Sequence, residues 1–273
     1  MKDLHKKTLY VSDLDGTLLR SDQTLSDYTI KTINEMIAKG TYFTYATARS
    51  HYTSSVVAAG LDLQIPVIVY NGTMLLKDKN REMISYHGFP EDGKELLADL
   101  IANDVYPIVY KYTDQKETFV YLSSKCNPAM AKFIDTRKDE REVITDQVED
   151  LFTGDIFHFT CIDEKEKLEP MYEKYKDKYY CVFFLDIYIK EYWLEIMPKG
   201  VSKAKAIEEL KESLGCERVV VFGDGKNDID MFAHADEAYA TENAVEELKE
   251  HATAIISGNN EDGVARWLQK NLE

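Results

Sequence analysis

Cysteine is scarce and scattered in this chain. The four residues Cys126, Cys161, Cys181 and Cys216 contain no Cys-x-x-Cys pair, so neither a zinc site nor a disulfide framework is expected, and buried free thiols in a reducing compartment account for them. The six histidines show no metal-ligand spacing, which assigns them structural or solvated roles. Basic residues are outnumbered, 33 Lys and Arg against 49 Asp and Glu, for a net charge of -16 with no basic cluster. That balance speaks against a general nucleic-acid binder, whose affinity comes from such clusters. No uncharged run approaches the length of a membrane span, and the first residues, MKDLHKK, lead into a strand without an apolar signal region; a cytoplasmic protein with no membrane partner is the expectation. Repeats and low-complexity segments are absent as well.

What remains is an ordinary soluble composition, 44% hydrophobic and 30% charged over 273 residues, enough for one large domain or two modest ones. The stretch Thr8 to Leu19 stands out. An apolar run, Leu9 to Val11, stops at two aspartates, Asp13 and Asp15, followed by Gly16 and Thr17. Strand side chains alternate, so Asp13 and Asp15 face one space at the strand's C-terminal end if the extended geometry persists, and that end is where ligands bind in open parallel sheets. An Asx turn that merely ends the strand is the competing account.

A helix follows from Ser26 to Lys39, then the strand TYFTYA ending at Thr47-Ala48-Arg49, a helix from His51 to Ala59, and the strand VIVY ending at Asn71-Gly72. Strand and helix in alternation predict parallel βαβ units with right-handed crossovers. The pattern then changes: TMLL and MISY flank a polar turn like a hairpin. Between about 81 and 198 lie three helical stretches and five strands, YPIVYK, TFVYL, IFHFTCI, YYCVFFL and YWLEIM, several with the alternation of an antiparallel sheet. After 199 the parallel pattern returns, with a helix capped by Ser202 and the buried run VVVF ending at Gly223-Asp224-Gly225-Lys226-Asn227-Asp228. The expected organisation is a core domain from 1–80 and 199–273 and an inserted α+β domain from 81–198.

The strand ends carry Asp13 and Asp15, Thr47 and Arg49, Asn71, and Asp224 with Asn227 and Asp228, while Lys203 lies in the first turn of a helix. Acidic groups for a divalent cation stand with a hydroxyl, an amide and a cation suited to phosphate oxygens. In order, Asp13-Leu14-Asp15-Gly16-Thr17, Thr47, Lys203 and Gly223 to Asp228 resemble the four motifs of the haloacid dehalogenase superfamily of phosphohydrolases. The large insertion, the Asn71-Gly72 pair and the runs Gly200 to Lys203 and Glu261 to Ala265 resemble its Cof-type, type IIB cap branch. The resemblance implies an α/β fold with a Rossmann-like, mostly parallel core sheet and a cap that sets specificity. It also implies an Mg2+-dependent phosphatase for small phosphorylated metabolites such as sugar phosphates. By the same resemblance Asp13 is the nucleophile and Asp15 the acid/base. Mg2+ is held by Asp13, the backbone carbonyl of Asp15 and Asp224, with Asp228 a ligand or an orienter, and Thr47 and Lys203 bind phosphoryl oxygens with Asn227 orienting Lys203 or the phosphate. A phosphosugar mutase of the same superfamily, and a silent ligand-binding homologue, share these motifs.

Each assignment has a plainer rival. For Lys203 the rival is a solvated helix lysine and for Asn71 a left-handed turn residue, both the weaker readings, while Asp228 as an N-cap and Arg49 as half of a salt bridge stand about level with their functional readings. The insertion's aromatics, Tyr106, Tyr110, Tyr112, Tyr180, Tyr188, Tyr192 and Trp193, read mostly as the core and faces of a small sheet. Two departures from the family pattern stand out: Ala48 replaces the usual glycine after Thr47, and Ala240 to Ala244 lacks the usual Met-Gly, which leaves local loop geometry open.

Overall fold

Leu9 and Val11 are fully buried in a strand, Thr8–Ser12, and a five-stranded sheet drawn from both ends of the chain is assembled around it. The computed structural model describes residues 7–113, 116–135, 138–185 and 190–272. The strand sits between Arg218–Gly223 and Tyr42–Tyr45, parallel to both, and Glu237–Thr241 and Ala254–Ile256 extend the sheet on one side, also in parallel. Helices cover both faces, which is why these strands read as continuous apolar runs. On one face Ile207, Leu210, Met231 and Phe232 pack against Leu9, Val11 and Val221. On the other, Trp267 lies across Tyr10, Phe222 and Tyr239. Asp27–Ala38 and Lys203–Leu214 begin at the expected serine caps: Ser26 accepts the Thr29 N–H at 3.0 Å, and Ser202 accepts that of Lys205 at 3.3 Å.

The strand after the second helix departs from a simple continuation of the parallel sheet. Val67–Val69 touches the sheet edge through an Ala46–Ile68 bridge and the Thr47 N–H to the Ile68 carbonyl at 3.0 Å. Its regular pairing is antiparallel, in a three-stranded unit with Met74–Leu76 and Met83–Tyr86, so the expected hairpin is present. The chain reverses through Tyr70, Asn71 and Gly72, with φ of 50°, 52° and 100°. Gly72 is obligatory there, since a Cβ would lie 2.3 Å from the Ser202 carbonyl oxygen.

Two compact units result, Met1–Tyr86 with Ser202–Glu273, and His87–Val201. The divisions fall a little beyond the expected 80/81 and 198/199; at the first of them Met83–Tyr86 pairs with Met74–Leu76 and stays with the core. The second unit holds a six-stranded sheet in the order Tyr180–Leu185, Tyr192–Met197, Asp155–Asp163, Ile108–Thr113, Lys116–Leu122, Glu142–Thr145. The last strand, parallel to its neighbour, was not among the five expected, because four residues of mixed polarity carry no periodic signal. Leu96, Leu97 and Leu100 of Asp92–Ala102 and Leu168 and Met171 of Lys165–Tyr175 pack against Val109, Phe159 and Leu194. Tyr110 and Trp193 are buried and Tyr192 stacks on Phe183, as the plainer reading of the aromatics requires. Tyr188 and most of the first seven residues lie outside the described residues.

Candidate active site

Parallel pairing carries the C-terminal ends of Thr8–Ser12 and Arg218–Gly223 side by side, and the first residue beyond the strand continues the ladder, with the Asp13 N–H donating to the Phe222 carbonyl at 2.9 Å. Asp13, Asp224 and Asp228 converge there, offering carboxylate oxygens within 4.8 Å of one another. Lys203 comes in from the start of its helix with its ammonium 2.5 Å from Asp13 Oδ1 and 2.7 Å from Asp228 Oδ1. It is 1% exposed, which rules out the solvated-lysine reading. Asp228 stands at the N-cap position of the helix that follows it, but its side chain makes no capping hydrogen bond there. Its Oδ2 accepts the Asp224 and Gly225 N–H groups, both at 3.0 Å, so the carboxylate closes its own loop and meets Lys203 with the other oxygen.

Asp15 faces elsewhere. The backbone leaves the strand conformation beyond Asp13, with Asp15 extended at φ −75°, ψ 119° and Gly16 left-handed at φ 76°. The Asp15 carboxylate meets the Arg49 guanidinium at 2.6 and 2.7 Å. Arg49 is therefore engaged by the expected acid/base residue, while Asp15 contributes no side chain to the three-carboxylate cluster. Gly16 makes the junction possible, since a Cβ would lie 2.2 Å from Asp224 Oδ2. Thr17, quoted in the first motif without a role of its own, donates to Asp224 Oδ1 at 3.0 Å.

The remaining candidates flank this centre. Thr47 accepts the Arg49 N–H on its hydroxyl at 3.1 Å, and its carbonyl accepts the Asn71 N–H at 2.9 Å. Asn71 is left-handed, as the plainer reading holds, yet its buried Oδ1 has no hydrogen-bond partner, so the turn leaves an acceptor to be satisfied. Asn227 lies over Gly225, where a Cβ would be 2.6 Å from its Oδ1; the hydrogen bonds of Lys203 go to Asp13 and Asp228 instead.

Charge does not balance at the cluster, where three carboxylates share one ammonium. Burial pushes the Asp13 carboxyl well above the usual carboxylate range; Lys203 opposes this, and Asp228 and Asp224 add to it. Asp224 is pushed up to about 7, by burial first and then by Asp228. Burial works against the Lys203 charge too, but Asp13 and Asp228 outweigh it and hold the ammonium above the usual lysine range. A donor set of hard carboxylate oxygens with surplus negative charge fits a divalent cation of the Mg2+ type, held by Asp13 and Asp224 with Asp228 adjacent.

A family model described as haloacid dehalogenase-like hydrolase matches residues 10–268. The chain is 26% identical to the 5-amino-6-(5-phospho-D-ribitylamino)uracil phosphatase YitU of Bacillus subtilis (strain 168), over 97% of each chain. It is 27% identical to a second 5-amino-6-(5-phospho-D-ribitylamino)uracil phosphatase of the same organism, YwtE, over 95% of this chain and 96% of that one. Among solved structures it superposes on a haloacid dehalogenase-like hydrolase from Bacteroides thetaiotaomicron with a TM-score of 0.79 and 26% identity, covering 97% of this chain and 99% of the other.

Proposed function

This chain belongs to the haloacid dehalogenase-like hydrolase family and is a phosphatase; from that premise we propose that it is an Mg2+-dependent phosphatase of small phosphorylated metabolites, sugar phosphates above all, working through an aspartyl-phosphate on Asp13. The observation that carries the reading is the buried Lys203 ammonium between Asp13 and Asp228, with Asp224 beside them. A lone carboxylate repels a phosphate dianion, so a nucleophilic aspartate needs cations on both sides of the reacting phosphorus. Lys203 supplies one. When bound, a divalent cation at Asp13, the Asp15 carbonyl and Asp224, with Asp228 alongside, supplies the other half of that charge cancellation.

The Asp13 carboxylate attacks phosphorus in line with the leaving oxygen. The ester P–O bond breaks, and Asp15 gives its proton to the departing oxygen, which leaves as an alcohol. Asp15 then takes a proton from water, the water oxygen attacks phosphorus, and the bond to Asp13 breaks to release inorganic phosphate. Thr47 and Lys203 hold phosphoryl oxygens, and Asn71 and Asn227 lie beside them for the same task. Arg49 pairs with the Asp15 carboxylate and orients it for these transfers.

The two Bacillus subtilis relatives are named for a substrate phosphorylated on a ribitylamino group, so phosphorylated sugars and sugar alcohols head the list of compounds to assay. Asp13→Asn should abolish Mg2+-dependent hydrolysis of p-nitrophenyl phosphate while the fold survives, and EDTA should silence the wild type. Near-normal turnover by the variant overturns the nucleophile assignment. Label from a sugar phosphate reappearing on another hydroxyl, in place of inorganic phosphate, overturns hydrolysis in favour of phosphoryl transfer within the sugar.

A further inference from the structure

We infer that Asn243 is a positioning residue of this site, setting the spacing between the loop that bears Asp13 and Asp15 and the loop that bears Asp224. The inference rests on the phosphatase reading above and assigns a task to a residue outside the four motifs.

The strand Glu237–Thr241 runs parallel to Arg218–Gly223 and ends at the same edge. Its exit is a tight turn, in which the Ala244 N–H reaches back to the Thr241 carbonyl at 2.9 Å. That turn grips both catalytic loops. The Asn243 Nδ2 donates to the Gly16 carbonyl at 2.8 Å, and two residues on the Val245 N–H donates to the Asp224 carbonyl at 2.9 Å. Thr241 Oγ1 reaches the same Gly16 carbonyl at only 3.5 Å, so Asn243 is its closer partner.

Asn243 is itself held. Its Oδ1 accepts the Asn259 N–H at 3.0 Å, and the buried Asn259 side chain donates to the Leu19 carbonyl at 2.9 Å. The two asparagines thus tie the loop at Gly16, within its irregular backbone, and at Leu19, where the chain becomes extended again. The tie acts where tolerance is smallest, because Gly16 nests the Asp224 carboxylate with no room for a Cβ and Thr17 bonds the same carboxylate at 3.0 Å. A shift of the Gly16 carbonyl therefore moves Asp224 relative to Asp13, and displacements near 1 Å at a reacting centre cost up to about 100-fold in rate. An asparagine is needed because one short side chain must donate to a carbonyl and accept from an amide at once. Aspartate keeps the shape but has no donor, and its oxygen would face the Gly16 carbonyl.

Asn243→Ala and Asn243→Asp should lower kcat about 10-fold or more with KM within about threefold, the pattern of a lost positioning contact. Isothermal titration of substrate-free protein should find Mg2+ bound about 10-fold more weakly, since the carboxylate spacing sets that affinity. Asn260→Ala is the control: Asn260 makes two hydrogen bonds, both at 3.0 Å, to Ser21 of the same loop, and is exposed like Asn243. It should match the loss of thermal stability and leave kcat and Mg2+ affinity unchanged. If Asn243→Ala and Asn260→Ala behave alike in both readouts, the positioning role is overturned while the phosphatase reading stands. If the wild type hydrolyses no phosphate ester, that reading fails, and the Mg2+ titrations alone still decide for or against Asn243.

Discussion

Arg49 grips both carboxylate oxygens of Asp15, with Nε 2.7 Å from Oδ2 and Nη2 2.6 Å from Oδ1, and the same Nη2 reaches Gln23 Oε1 at 2.8 Å. This side-on pairing fixes the carboxylate proposed as the acid/base in position and keeps it out of the cluster of Asp13, Asp224 and Asp228.

Lysine cannot reproduce a two-pronged grip, so Arg49→Lys should lower kcat/KM about 10-fold and Arg49→Ala about 100-fold. Asp15 is half exposed, so the pair contributes at most about 1 kcal/mol to stability and both variants should melt close to the wild type. Steady-state kinetics with parallel melting curves checks this; full activity in Arg49→Lys would reduce the pair to a surface contact.

The proposed metal centre should be sensitive to pH through Asp224. Its carboxyl is raised from 3.8 to about 7 in the fold, so between those values the metal-free native state holds a proton that the unfolded chain has lost. Stability from this group is therefore present at low pH and lost as pH rises toward about 7. In EDTA, Asp224→Asn should gain melting temperature relative to the wild type between pH 5 and pH 7.5. Mg2+ should return the advantage to the wild type, and its binding should tighten with pH because the ligand carboxylates must shed protons. Melting curves across that range, with and without Mg2+, test both signs.

The second unit carries an opposite dependence. His158 is buried, with Nε2 4.0 Å from Glu195 Oε1 and its ring edge-on to Tyr110, and burial pushes its pKa down to about 3. The unfolded chain takes up a proton near pH 6.5 that the native state refuses, so stability present above 6.5 is lost as pH falls toward 3, with a ceiling on the order of 5 kcal/mol. The two tryptophans allow a local readout, because Trp193 lies in this unit and Trp267 in the core. In a Trp267→Phe background, the urea midpoint followed by Trp193 fluorescence should drop between pH 7 and pH 5. With His158→Gln added, the drop should shrink.

The carboxylate and lysine motifs were legible because each sits where a strong local signal stops: an apolar run ending in Asp13, VVVF ending before Asp224, a serine cap just ahead of Lys203. Pairings between separate loops were not. Nothing local in the sequence tells that Arg49 turns to Asp15 or that Thr17 holds the Asp224 carboxylate, because these contacts join segments far apart in the chain; the Asp228 bond that closes the Asp224 loop spans only four residues, but its residue type alone does not separate a loop closure from a helix cap. Asn243 escaped for the same reason as Arg49 and Thr17, although an asparagine just past the end of a strand is a signal of the kind that marked Asn71. The strand Glu142–Thr145 was missed because its pairing partner, and not its own pattern, makes it a strand.

Gly16 offers the sharpest separation of backbone strain from site geometry. At φ 76° an alanine pays about 1 kcal/mol of left-handed strain, and its Cβ would also fall 2.2 Å from Asp224 Oδ2 and 2.7 Å from Asp224 Cγ. The carboxylate lies at a loop end and can swing aside, so Gly16→Ala should fold, with Asp224 displaced from Asp13. Gly40 provides the matched comparison: it is left-handed at φ 96°, but a Cβ there meets nothing within 4 Å. Gly40→Ala should show a similar fall in melting temperature with full activity. Gly16→Ala should lose about 100-fold or more in kcat and bind Mg2+ more weakly. Equal kinetic losses in the two variants would mean that backbone strain, and not collision with Asp224, governs the site; a loss confined to Gly16→Ala makes the absent side chain at that position part of the construction of the carboxylate cluster.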